Sequence, residues 1–153
     1  MTDLPAIYTL PAAAARIGLI GQSHRRLTGR ALCAGEDAAA LWAAPQAIVA
    51  HGTEADPLFF FANRAALARF AMPLEQFVGM PSRLSAEAPL REERQALLER
   101  VARSGFIDDY AGVRIAATRQ RFRIEQATVW NLADASGALH GQAAAFAQWT
   151  DLG

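Results

Sequence analysis

GFIDDYAGVRIAATRQRFRIEQATVWNLADASGALHGQAAAFAQW, residues 105–149, decides the fold. It reads as three consecutive strands: Arg119 and Gln120 separate the first two runs, and the Asp134–Gly137 turn separates the second from the third. Across Arg121–Glu125 the alternation is clean. Phe122 and Ile124 point one way, and Arg121, Arg123 and Glu125 point the other. That is the period of a sheet with one buried and one wet face. Short links between the runs imply an antiparallel meander, so the segments upstream have to cover its apolar face.

The chain has 153 residues, enough for one domain with its own core. Its 52% hydrophobic and 20% charged residues exclude a disordered chain. A formal net charge of zero favours neither nucleic acid nor an anionic membrane as partner. All 15 basic residues are arginine; this fits a use for planar bidentate contacts, or simply a base-composition bias. With Cys33 as the single cysteine, an internal disulfide and a thiolate metal cluster are both ruled out. The start of the chain lacks the basic segment and apolar run of a signal peptide, and no stretch approaches the ~18 apolar residues of a membrane span. A cytoplasmic location is expected.

Taken in order, residues 1–11 are expected to be a flexible N-terminus, because Pro5 and Pro11 discourage regular structure. A helical segment fills 12–45. Ile17, Ile20, His24 and Leu27 share one helix face while Arg16, Arg25 and Arg26 stay wet. Gly18 and Gly21 weaken this helix by ~1 kcal/mol each, so it needs packing against the body or a partner chain. Gly29 stops it, and a short alanine-rich helix follows, ending near Trp42 before Pro45.

The core runs from 46 to 150. Gln46–His51 and Leu58–Ala62 are strands of a hairpin-like pair. Asn63 caps a helix over Arg64–Phe70. Pro73–Phe77 is a short helix stopped by Gly79, and Met80–Glu87 is irregular. Pro89 and Gly105 bracket a helix over Leu90–Ser104. Two strands, inserted helices and three strands make an α+β architecture with a five-stranded antiparallel sheet, helices on one face and an additional N-terminal helix.

This order is similar to that of PAS domains, and FFFANRAALARFAMPLEQFVGM places Asn63 and Gly79 at characteristic positions of that pattern. The segments HGTEADPLFFFANRAAL, MPSRLSAE, the Gly105–Ile115 run, RFRI, VWNL and GQAA more narrowly resemble the MEKHLA domain. That PAS-like domain is found at the C-termini of class III homeodomain-leucine zipper plant proteins and as stand-alone bacterial proteins. The resemblance spans roughly Ile17–Trp149. The literal string that names the family is absent, which places the chain with the bacterial branch. The resemblance implies a PAS-like fold and a sensing or interaction role, with no known reaction.

A PAS-like cavity would lie between the inner sheet face and the helix over Leu90–Ser104, where polar groups could orient a ligand. His51 and Asp56 could form a pair facing it, with Asn63 close by; alternatively Asp56 and Asn63 are turn and cap residues. Arg83 could hold a carboxylate in its fork or pair with Glu87. Asp108, Tyr110 and Arg114 lie at even spacing and so on one face. They form a solvated ladder if that face is outer; if it is inner, Tyr110 and Arg114 become ligand contacts. Trp130 and Gln142 are candidate cross-strand neighbours, and the PAS resemblance makes Gln142 the favoured ligand contact, with Trp130 also readable as core.

No cofactor is expected. A light-sensing flavin domain needs a cysteine on the helix after the second strand, where Asn63 is followed by Arg64. The familiar haem PAS domains need a histidine on the long helix, and 89–104 holds none. His24, His51 and His140 do not form a metal motif, and no Gly-x-Ser-x-Gly occurs. Three readings follow: a small cytoplasmic sensory module binding an uncharged or acidic metabolite, a dimerising interaction domain with a filled core, or, least favoured, an enzyme using His51 and Asp56. A stand-alone sensor would signal by homodimerising or docking to a protein through the helix around Ile17–Leu27 and the outer sheet face.

Overall fold

The alternation at Arg121–Glu125 becomes one half of a long strand. In the computed structural model, which describes residues 3–86 and 91–153, that strand is β4 (Arg121–Ala133). It is flanked by β3 (Phe106–Ile115) and β5 (Leu139–Phe146). The upstream elements are α1 (Pro11–Thr28), α2 (Ala38–Ala43), β1 (Ala47–His51), β2 (Phe59–Ala62), α3 (Arg64–Phe70), α4 (Leu74–Phe77) and α5 (Arg91–Ser104).

The strands lie in the order β2-β1-β5-β4-β3, every neighbouring pair antiparallel. This is the expected five-stranded path. A sixth strand, β6 (Gln148–Leu152), adds to it by pairing with β4. Thr128 faces Ala145 and Glu125 faces Gln148 in one register, so β6 prolongs β5 along β4.

Two irregularities set which side chains face which way. Pairing of β3 with β4 shifts on both sides of Tyr110, and Gln126 adopts a left-handed φ of 52°. An extra residue in a strand swaps the faces beyond it. Before Gln126 the inner face of β4 carries Phe122 and Ile124; after it, Ala127 and Val129. Trp130 and Leu132 turn to the outer face.

That outer face is covered by the N-terminal segment. Ile17 and Ile20 of α1 pack with Trp130, Leu132, Ala143 and Ala145, and the buried Trp130 indole donates to the Ile20 carbonyl at 3.0 Å. Full burial of each aliphatic side chain contributes ~2 kcal/mol, enough to offset the two helix glycines. The helix therefore packs on the body of its own chain. Gly21 assists, since a methyl there would sit 3.0 Å from the Glu36 side chain. Gly29, at φ 74°, ends α1 with its N–H on Arg25 O.

Residues 3–10 do not conform to the expected loose terminus. Ala6–Thr9 form a 3-10 turn, and Tyr8 is buried with its hydroxyl donating to Ala62 O and accepting from Ala62 N, each at 3.1 Å. Asp3 accepts from Trp42 Nε1 at 2.9 Å and pairs with Arg64. The prolines restrict the backbone locally, and contacts more than 35 residues away fix it.

On the inner face, α3 and α4 bring Phe70 and Phe77 against Phe59 and Phe122. Leu97 and Val101 seat α5 on Ile107 and Val129. At the far end, the Arg69 guanidinium lies 4.0 Å from the Phe122 ring centre and pairs with Asp151 of β6 at 2.6 Å. Among the described residues, no helix is long and apolar enough to cross a membrane.

Candidate functional site

Between α5 and the inner sheet face, where the PAS resemblance implies one, lies a cavity of about 60 Å³. Its walls are largely apolar, including Val49, Phe59, Phe70, Leu97, Ile124 and Val129. Set among these are His51, Ser82, Ser85, Tyr110, Arg114 and Gln142. At ~30 Å³ per water, the space matches roughly two water molecules.

Strand register brings the first polar group together. His51 on β1 faces Gln142 on β5, and Gln142 faces Asn131 on β4. Three side chains on three adjacent strands thus form one polar row. Gln142 Nε2 donates to Asn131 Oδ1 at 3.3 Å. Asn131 Nδ2 reaches Val101 O of α5 at 3.4 Å, and its backbone N–H bonds Gly105 O at 3.0 Å. The row therefore ties the sheet to the end of α5. His51 Nδ1 donates to Gly52 O at 3.0 Å, which fixes the ring tautomer.

The second group comes from β3. Tyr110 lies across Gly112, where a methyl would collide with the Tyr110 hydroxyl. Only glycine leaves that path open, and the hydroxyl then accepts from an Arg114 terminal nitrogen at 2.9 Å. The other terminal nitrogen of Arg114 donates to Val113 O at 3.2 Å. Among the described residues, no aspartate or glutamate lines the cavity and Arg114 has no ion-pair partner.

Gln142, Tyr110, Arg114 and His51 are thus gathered at the cavity, and the other candidates lie elsewhere. Asp56 does not meet His51: it accepts from Arg83 Nε at 3.1 and 3.2 Å on the surface. Glu87, the alternative partner for Arg83, lies outside the described residues. Asn63 is wholly buried and fully engaged. Its Oδ1 accepts from Ile48 N and Ala66 N, and its Nδ2 donates to Leu41 O and Gln46 O. It caps α3 and pins α2 and β1. Trp130 faces Ala143, not Gln142, and lies on the opposite sheet face. Asp108 leaves the Tyr110–Arg114 face at the bulge and approaches Arg30 at 3.7 Å.

Asn131 was missed in the sequence. Asparagine is depleted in strands, so its place inside VWNLA was the available signal.

A second cluster has triad composition without triad geometry. Asp134 accepts from the Ser136 hydroxyl and, at 2.7 Å, from His140 Nε2. These bonds hold its carboxyl far below the usual carboxylate range. A serine nucleophile must give its proton to the histidine, whereas Ser136 gives it to the aspartate. The cluster shapes the β4–β5 turn. Among the described residues, no three His, Cys, Asp or Glu side chains are placed to hold a metal.

The sheet order, the helices on its inner face and the cavity beneath α5 define a PAS-like domain. The crystal structure of a PAS domain from Colwellia psychrerythraea is similar at TM-score 0.60 and 14% identity, covering 73% of this chain and 90% of that one. The light-state dimer of the fungal blue-light photoreceptor Vivid matches at TM-score 0.56 and 14% identity, covering 68% and 78%. An RNA-binding light-oxygen-voltage receptor matches at 0.59 and 13%, over 73% of this chain and 30% of that one. At such identities the likeness is one of fold. The MEKHLA domain model matches residues 14–151, and the chain belongs to that family. No curated protein matches it.

These likenesses overturn one expectation. The absence of a cysteine beside Asn63 predicts a domain apart from the flavin-holding PAS domains, yet light-oxygen-voltage photoreceptors share its fold. A thiol is needed to form a covalent bond to a ring; holding the ring requires only shape and hydrogen-bonding groups. The lack of a cysteine in the cavity wall therefore does not set a flavin aside.

Proposed function

We propose that this domain is a cytoplasmic sensory module that binds a small molecule in the cavity beneath α5 and signals through protein contact. The observation that carries the reading is the polar row His51–Gln142–Asn131, which joins three central strands to the end of α5. A ligand that bonds Gln142 competes with Asn131 for the same amide, and Asn131 holds the α5 terminus. Occupancy of the cavity is thereby coupled to the seating of a surface helix.

A second reading rests on the cavity volume. About 60 Å³ is close to a filled core, and a purely interacting domain needs no more space. Any flavin-sized ligand requires α5 and the sheet to part, since such ligands occupy ~300 Å³ or more. Contact with a second copy or another protein would use the solvent side of α1 and the outer sheet face, where Arg123 and Glu125 are exposed. The buried face of α1 is already engaged.

The test is native mass spectrometry on gently purified protein, then denaturing release and a visible absorption spectrum. A co-purifying molecule supports the sensor, and a yellow chromophore names its class. A bare mass, no colour and no thermal shift across a metabolite panel would leave the interaction domain.

A further inference from the structure

Among the described residues, the cavity wall holds a cation and no anion. We infer that the ligand of this site is a short-chain carboxylate, held through Arg114 and Tyr110. This rests on the ligand-binding reading above and specifies its chemistry.

Three observations converge. First, the Arg114 guanidinium lines a mostly apolar cavity, spends one donor on Val113 O and one on the Tyr110 hydroxyl, and has no carboxylate partner among the described residues. A guanidinium carries more N–H donors than these two bonds use. Its positive charge, partly withdrawn from water, favours an anion beside it. Secondly, Tyr110 accepts from Arg114, which leaves its own proton to donate. Arginine fork and phenol together present donors to a single planar acceptor, the geometry that suits a carboxylate. Gly112 maintains this pairing, because any side chain there meets the phenol.

Thirdly, size selects among anions. About 60 Å³ accommodates a carboxylate with a very short carbon chain and excludes tricarboxylates and fatty acids. The apolar walls take the chain, and Gln142, across the cavity, can meet a keto or hydroxyl oxygen. The contrast with Arg69 supports the assignment. That arginine, also beneath the inner face, has its charge met by Asp151.

The experiment is titration calorimetry with thermal unfolding, using sodium acetate and sodium pyruvate as probes. Acetamide serves as the uncharged isostere, and citrate and decanoate as oversized anions. Binding of acetate or pyruvate with a raised Tm, and none by acetamide, citrate or decanoate, is expected. Arg114→Gln should weaken the carboxylate by about tenfold or more, the scale of a lost charge-assisted contact. Arg114→Lys keeps the charge and the fold but loses the fork, so intermediate weakening is expected.

Equal binding of acetate and acetamide, or unchanged acetate affinity in both folded Arg114 variants, overturns the inference. A neutral molecule that binds while no carboxylate does would overturn the carboxylate and leave the sensor standing. Binding by no probe, with a bare native mass, would remove both.

Discussion

The two faces of the sheet solve different problems with the same strands. On the outer face beneath α1 the polar groups are committed: Trp130 bonds Ile20 O, and Ser23 exchanges hydrogen bonds with Ala133. On the inner face the aromatic end is equally closed, with Arg69 held between Phe122 and Asp151. Beneath α5, in contrast, Arg114 satisfies Tyr110 and Gln142 satisfies Asn131 around residual space. Committed polar groups hold a fold together; groups that merely satisfy one another can exchange partners when a ligand arrives.

Perturbations should separate the faces. Trp130→Ala removes the largest buried side chain of the outer face and should cost about 3–5 kcal/mol, lowering Tm by on the order of 10 °C in thermal unfolding. Next comes Asn63→Asp, at the joint between α2, β1 and α3. Its new oxygen would face the Leu41 and Gln46 carbonyls with both donors gone, at a cost of roughly 2–4 kcal/mol by denaturant titration.

A smaller effect belongs to His24, which packs edge-on against Trp130 at 4.9 Å between ring centres. Burial lowers its pKa below the usual 6.5. The unfolded chain then binds the proton more readily, so stability should fall as pH drops below about 6.5 and level off beneath the folded-state pKa. A His24→Gln variant should show a flatter Tm profile between these limits. The smallest change in stability is expected for Gly112→Ala, within about 1 kcal/mol, because the methyl displaces only the tip of Tyr110. Yet it breaks the Tyr110–Arg114 bond, so any probe of the cavity should respond while Tm scarcely moves. If Gly112→Ala instead unfolds the chain, the contrast between the faces fails.

The regular parts of this fold were legible because short-range rules govern them. Period-two alternation at Arg121–Glu125, Asn63 as a cap and Gly29 and Gly105 as stops all act within a few residues. Sidedness was not legible in the same way. The face change at Gln126 comes from a left-handed backbone angle on a residue type that rarely signals one. Even spacing likewise put Asp108 with Tyr110 and Arg114 until the bulge intervened. Pairings across long loops were hidden too. Asp56 meets Arg83, 27 positions away, in preference to His51. The cavity was anticipated from the resemblance, and its polar row emerged only once register placed Asn131 beside Gln142.

Tyr8 carries one more consequence. β2 is a border strand of the sheet, and such borders recruit strands from other molecules. Its outward peptide groups are occupied: Ala62 by the Tyr8 phenol, and Phe59 by Gly79 N and Met80 O. At the Ala62 end of that border, a single side chain thus does the work of an additional strand. Trimming the first ten residues, a routine step in preparing small domains, would unplug this border and invite aggregation. At the opposite border, β3 carries a bulge and the adjacent carboxylates Asp108 and Asp109, both deterrents to strand addition.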